Sequence, residues 1–248
     1  TIKGNLIHSG GTLNVNGGTL IVDGNYRMQT PTTDAEGNLT YTYGSGVLNM
    51  ANALDKVLVR GDFVMNSNMS HRDKLIDGEL QVQGDFSQIT SFARRSCSAG
   101  RCVDVYTKDN FKPSGSHRVM LSGIVKQSVI FENPSLNESL FNVLEITNAS
   151  VDGVDLSSRV VVTGELVATA TPIINSDLLS LSGTAFVSQG NWNYDLVLDS
   201  HSGSWKLQQD QVVDKNFYLK STSLDLNGKI LTIKGNLIHS GGTLNVNG

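Results

Sequence analysis

Few residues in this chain could do chemistry, and the acidic ones recur at one kind of place. Asp62, Asp85 and Glu165 each follow a glycine, in VRGDFVM, VQGDFSQ and VTGELVA. Carboxylates gathered on one face would suit general acid–base attack on a glycosidic bond. A slot refilled after successive glycines is a turn signature before it is an acid pair, so the structural reading is preferred. His8, His71, His117, His201 and His239 fall in no nucleophile or metal-ligand spacing, and they read as surface or strand-edge residues. Phosphate-loop and calcium-roll patterns are absent. The expectation is a protein with no catalytic residue, no metal and no cofactor.

Two further groups bear on binding and compartment. Cys97 and Cys102, in SCSAGRC, have no second pair nearby to complete a zinc site. They read as a local disulfide that staples a loop, with two free thiols as the alternative. A bridge would place the chain in an oxidising, extracellular setting. Trp192, Tyr194 and Trp205 lie close in sequence and could form a platform for sugar rings. The reading preferred to it is an aromatic cover over the core at a widened rung.

What positions these residues is repetition. TIKGNLIHSGGTLNVNG occurs as Thr1–Gly17 and again, letter for letter, as Thr232–Gly248, a period of 231 residues. Identity at unconstrained residues such as Lys3 and Ser9 implies recent duplication, so residues 1–248 read as one continuous window on a tandem array. A shorter repeat lies inside the long one. IKGNLI, VDGNYRM, VRGDFVM, VQGDFSQ and VTGELVA each set a glycine between apolar strands, with Gly4, Gly24, Gly61, Gly84, Gly164 and Gly235 as the recurring glycines. Successive spacings of 20, 37, 23, 80 and 71 fit stacked turns of about twenty residues with insertions.

The composition supports the same architecture. Among 248 residues there are 25 glycines, four prolines and 6 % aromatics, with 39 % hydrophobic content. Small aliphatic ladders with glycine at corners suit a narrow layered core. The net charge is −4, and removing the duplicated segment with its single Lys leaves −5 per 231 residues. Such an array is polyanionic, which argues against nucleic acid, and no apolar run is long enough to span a membrane.

Alternating segments at 1–7, 12–15 and 19–28, and again from Val47 onward, read as strands, with excursions at 29–46, whose punctuation reads as a hairpin, and at 90–116. Met50–Leu58 and Arg72–Leu80 have helical propensity but are too short to stand alone. A sandwich or barrel must end, whereas a solenoid continues through its open ends. The fold expected is therefore all-β, a β-solenoid of about ten rungs per repeat.

The runs LTIKGNLIHSGGTLNVNGGTLIVDGNYRMQT, VLVRGDFVMNS, LQVQGDFSQ, SGSHRVMLSGIVKQSVIFENP and FNVLEITN resemble repeat text of very large bacterial cell-surface proteins, the β-helical stalks of filamentous-haemagglutinin-type adhesins and exoproteins. That resemblance covers roughly the whole chain and implies a right-handed parallel β-helix exported to the surface. It brings no catalytic residue. The function expected is a non-catalytic stalk or fibre repeat, partnered end to end by its own copies. A glycan- or host-surface-binding module is the alternative, ahead of a polysaccharide-active enzyme.

Overall fold

The computed structural model describes residues 1–168, 173–174, 179–181, 185–188, 191–192, 195–198, 204–207 and 209–246. Among them the protein is all-β, with no helix. Met50–Leu58 and Arg72–Leu80 follow this rule despite their propensity, contributing strand Lys56–Val59, the Met50–Leu75 bridge and turns. The chain divides into two compact units, one of residues 1–117 with 131–139 and one of 118–130 with 140–248.

In the first unit, short strands run parallel and pair with strands roughly one repeat away. Leu6 pairs with Tyr26, Tyr26 with Phe63 and Phe63 with Phe86. A second ladder joins Leu20 to Val57 and Val57 to Leu80, and a third joins Leu13 to Leu48. The strands form because period-two alternation sends every second side chain inward. In Lys56–Val59 and Glu79–Val82 the inward residues Val57, Val59, Leu80 and Val82 are fully buried. Burying each such aliphatic side chain contributes about 1.5–3 kcal/mol.

Parallel in-register pairing also stacks like on like. Tyr26, Phe63 and Phe86 occupy equivalent positions, and their ring centroids are 5.4 and 5.5 Å apart. Phe131 and Phe111 extend the cluster from Phe86, at 5.4 and 4.9 Å. Burial pushes the Tyr26 phenol pKa up, while its oxygen hydrogen-bonds His8 Nδ1 at 2.9 Å.

The second unit repeats this plan. Val119, Leu144, Leu166, Phe186 and Leu207 form one continuous parallel register, as do Trp205, Leu224 and Leu244. Leu196, Phe217 and Leu237 form another.

Turns between strands use left-handed backbone where the sequence permits it. Asn16 and Gly17 have φ of 53° and 78°, and the Gly18 N–H donates to the Val15 carbonyl at 3.0 Å. Asn227 and Gly228, at 53° and 70°, close the matching turn. Positive φ at both central residues is the conformation Asn-Gly adopts most easily. Gly10 and Gly11 begin strand Gly10–Asn14, and the corner after it falls at Asn16-Gly17.

Both excursions are antiparallel hairpins. Tyr26–Thr33 continues past the ladder and pairs with Leu39–Tyr43, from Gln29 opposite Tyr43 to Thr33 opposite Leu39. Ser91–Ser98 pairs with Arg101–Thr107. The second hairpin leaves and rejoins its unit over a buried polar network. Gln88 Nε2 donates to Asn110 Oδ1 at 2.8 Å, and Asn110 Nδ2 donates to the Ile89 and Ser67 carbonyls at 2.7 and 3.0 Å. These amides satisfy carbonyls that the interrupted ladder leaves without strand partners.

Candidate functional site: a glycine and asparagine seam

The recurring glycines and the residues after them form a seam across the first unit. Asn5 Oδ1 accepts the backbone N–H of Asn25 at 2.8 Å, Asn25 Oδ1 that of Asp62 at 2.8 Å, and Asp62 Oδ1 that of Asp85 at 3.0 Å. The sequence intervals are 20, 37 and 23 residues, so each hydrogen bond ties one repeat to the next. In the second unit Asp195 accepts from Asn216 and Asn216 from Asn236, both at 3.0 Å.

Glycine is required beside this seam because the preceding repeat occupies the Cβ position. A Cβ on Gly24 would stand 2.4 Å from Asn5 Oδ1, on Gly61 2.2 Å from Asn25 Oδ1, and on Gly84 2.5 Å from the Gly61 carbonyl carbon. Gly164 belongs to a different setting, inside strand Val160–Ala168, where a Cβ would meet the Asn142 carbonyl oxygen at 2.9 Å. The Asp62 carboxylate thus serves as an inter-strand acceptor, and Asp85 joins the seam through its backbone N–H. Glu165 pairs in register with Val143 and lies outside the seam.

Lys3, Asp23 and Arg60, the residues before Gly4, Gly24 and Gly61, alternate in charge, whereas Gln83 before Gly84 is neutral. Asp23 is held between Lys3 at 3.1 Å and Arg60 at 2.9 Å. The Lys3 hydrogen bond is the main cause that lowers the Asp23 pKa. Such exposed pairs contribute little stability singly, but opposite charges on neighbouring strands favour this register over a slipped one.

Two histidines differ from the expectation of surface placement. His71 and His117 are fully buried, and burial lowers both pKa values to about 4. His71 Nε2 accepts the Leu48 N–H at 3.1 Å, and its Nδ1 lies 3.2 Å from the Met69 carbonyl, which assigns the proton to Nδ1. Neither ring nitrogen of His117 has a hydrogen-bond partner, and its ring lies 6.5 Å from Phe111. Both lie between strands, so no alternation in the sequence marked them as buried. His8 does sit at the strand edge, and His201 lies outside the described residues.

Sequence reasoning also missed Asp55. It is buried, and its carboxylate accepts the N–H groups of Gly17, Ala51 and Asn52. Beside it a polar recess of about 290 Å³ is lined by Asn16, Asn49, Ala51, Asn52 and Asp55. These hydrogen bonds make Asp55 the anchor of two turns. Its only signal was an acid within ANALDK, immediately before a strand.

Cys97 and Cys102 face each other across the second hairpin and are disulfide-bonded. The hairpins meet through Tyr43 and Phe92, 6.1 Å apart, and Phe92 also contacts Tyr106. Of the three aromatics considered as a sugar platform, only Trp205 has a described side chain. Trp205 is fully buried, so its indole offers no face to a ligand. Tyr194 and the Trp192 side chain lie outside the described residues. Trp205 sits in register above Leu224, where strand alternation points it inward.

Among the described residues no group of three His, Cys, Asp or Glu is arranged to hold a metal ion, and no helix is long and apolar enough to cross a membrane. No family model, curated protein or solved structure matches this chain.

Proposed function

We propose that the chain is a non-catalytic structural repeat of a long extracellular fibre or adhesin stalk, built as a right-handed parallel β-helix of about ten rungs per 231 residues. The observation that carries this reading is the seam from Asn5 through Asn25 and Asp62 to Asp85. One side-chain slot repeats the same hydrogen bond from strand to strand, and the glycine beside it admits the close approach. A solenoid makes such a slot useful, because every turn offers the next the same edge and the structure grows without a fixed end. Net negative charge on every repeat keeps neighbouring fibres apart. The Cys97–Cys102 bridge supports an oxidising, extracellular location.

Electron microscopy of protein carrying several copies tests this. Stiff filaments are expected, and flexible strings of beads would contradict the reading.

One observation favours a second role. The hairpins bring Tyr43, Phe92 and Tyr106 together, while Arg94, Arg95 and Arg101 are exposed on the second hairpin. That surface fits a glycan or host-surface contact on a structural stalk. Binding lost when both hairpins are shortened, with the filament intact, would establish it.

A further inference from the structure

A disulfide that holds a fold together joins elements the chain would otherwise let part. Cys97–Cys102 joins neighbours. Ala99 and Gly100, at φ of 50° and 78°, form a two-residue turn that already sets Ser98 opposite Arg101 and Cys97 opposite Cys102. The ties between this hairpin and the rest of the first unit lie at its other end. Ser91 Oγ donates to Asn66 Oδ1 at 2.6 Å, Thr107 Oγ1 donates to the Asn68 carbonyl at 2.7 Å, and Phe92 meets Tyr43. Opening the bridge therefore leaves the parallel ladders as they are. It does change the tip, because Ala99 holds a left-handed backbone that a residue with a Cβ adopts only at a cost. With the bridge open that turn is free to relax, so one covalent bond selects between two arrangements of the tip.

Access and charge favour that reaction. Both cysteines are exposed, as is every residue from Arg94 to Asp104. Exposed disulfides are the more labile ones, whereas structural bridges resist reduction by thiols. Residues 91–107 carry Arg94, Arg95 and Arg101 against one acid, Asp104, in a chain whose net charge is −4. Arg95 stands two residues before Cys97 and so shares its face of the strand, and Arg101 adjoins Cys102. Asp104 lies 3.9 Å from Arg95 Nε and offsets part of that charge. Guanidinium groups so placed draw in an anionic thiolate and stabilise the thiolate that leaves.

We propose that Cys97–Cys102 is a thiol-exchange site, at which a small thiol carrying carboxylate groups opens the bridge and becomes attached to the hairpin tip. The incoming thiolate forms a bond to one sulfur as the Cys97–Cys102 bond breaks, and that bonding pair leaves on the other cysteine, now a thiolate. One disulfide is exchanged for another, so no further oxidant or reductant enters. The displaced cysteine reverses the step by attacking the mixed disulfide and expelling the small thiol. The hairpin thus gains a reversible covalent attachment point. This site goes beyond the fibre reading and does not depend on it, because it involves the hairpin alone.

Reaction of the intact, folded chain with glutathione tests this, set against cysteamine, a thiol whose ammonium group cancels the charge of its thiolate. After acid quenching, peptide masses should show glutathione on Cys97 or Cys102 while amide exchange around Val57 and Leu80 stays slow. Arg94→Ser, Arg95→Ser and Arg101→Ser together should slow the glutathione reaction about tenfold at low salt and the cysteamine reaction by less than about twofold. Added salt should reproduce that contrast in the unsubstituted chain. A bridge that opens only at the rate of global unfolding would overturn the proposal. Equal sensitivity of the two thiols to the substitutions and to salt would overturn it as well.

Discussion

Asn25 accepts the backbone N–H of Asp62 through its side-chain oxygen at 2.8 Å, and the Cβ that Gly61 lacks would lie 2.2 Å from that same oxygen. The hydrogen bond and the missing side chain are one feature, since the amide can reach the next strand only if the glycine leaves room. Gly61→Ala should therefore destabilise by about 1–3 kcal/mol, the usual cost of overpacking. Gly4→Ala, whose Cβ meets nothing within 4 Å, should stay within about 0.5 kcal/mol in the same single chain. Urea unfolding of the two variants checks the contrast, and equal losses would show that the close approach is not what selects glycine.

The aromatic ladder predicts where the core is most sensitive. Phe86 touches Phe63, Phe111 and Phe131 and is fully buried. Truncating it to Ala should cost about 3–5 kcal/mol. Leu39→Ala, on a residue 66 % exposed at the first hairpin, should change thermal stability by no more than about 0.5 kcal/mol.

Buried histidines make stability depend on pH. His71 and His117 have pKa values of about 4 in the folded chain, against 6.5 for the ordinary side chain. Between these values the unfolded chain binds protons that the folded chain refuses. The stabilisation is complete above pH 6.5, falls as pH drops toward 4 and then levels off. Below pH 6 the slope from two such groups approaches about 2.7 kcal/mol per pH unit. His117→Leu should remove roughly half of it. Unfolding free energies measured between pH 7 and 5 that stay flat would contradict the burial of both rings.

The disulfide should act locally. It closes a short loop within an exposed hairpin, so the chain-entropy contribution is roughly 2 kcal/mol. Replacing Cys97 and Cys102 with Ser should speed amide exchange across 91–107 while the parallel ladders around Val57 and Leu80 keep their protection. Loss of protection throughout the first unit would show that the hairpin supports the core.

Much of this was legible because it repeats. The glycine slot, the alternating strands and both excursions were readable from VDGNYRM, VRGDFVM and VQGDFSQ and from the turn residues near Pro31 and Gly37. The same phrases set Tyr26, Phe63 and Phe86 two residues after each glycine, so the aromatic stack was written there and overlooked. His71, His117 and Asp55 were not legible. They lie between strands, where neither alternation nor repeat reveals which side faces the core. Glu165 misled for the opposite reason: its phrase copies the slot, yet a register shift between Phe141 and Val143 moves it off the seam.

The central claim is that one 231-residue repeat advances as stacked turns of a single parallel solenoid. The most direct measurement is the axial repeat of a filament carrying several copies, from the layer lines of its electron-microscope images. Strands about 4.8 Å apart and about ten turns per repeat give an advance of roughly 50 Å. An axial repeat below about 30 Å or above about 80 Å would contradict the account, because no single stack of that many turns at strand spacing could produce it.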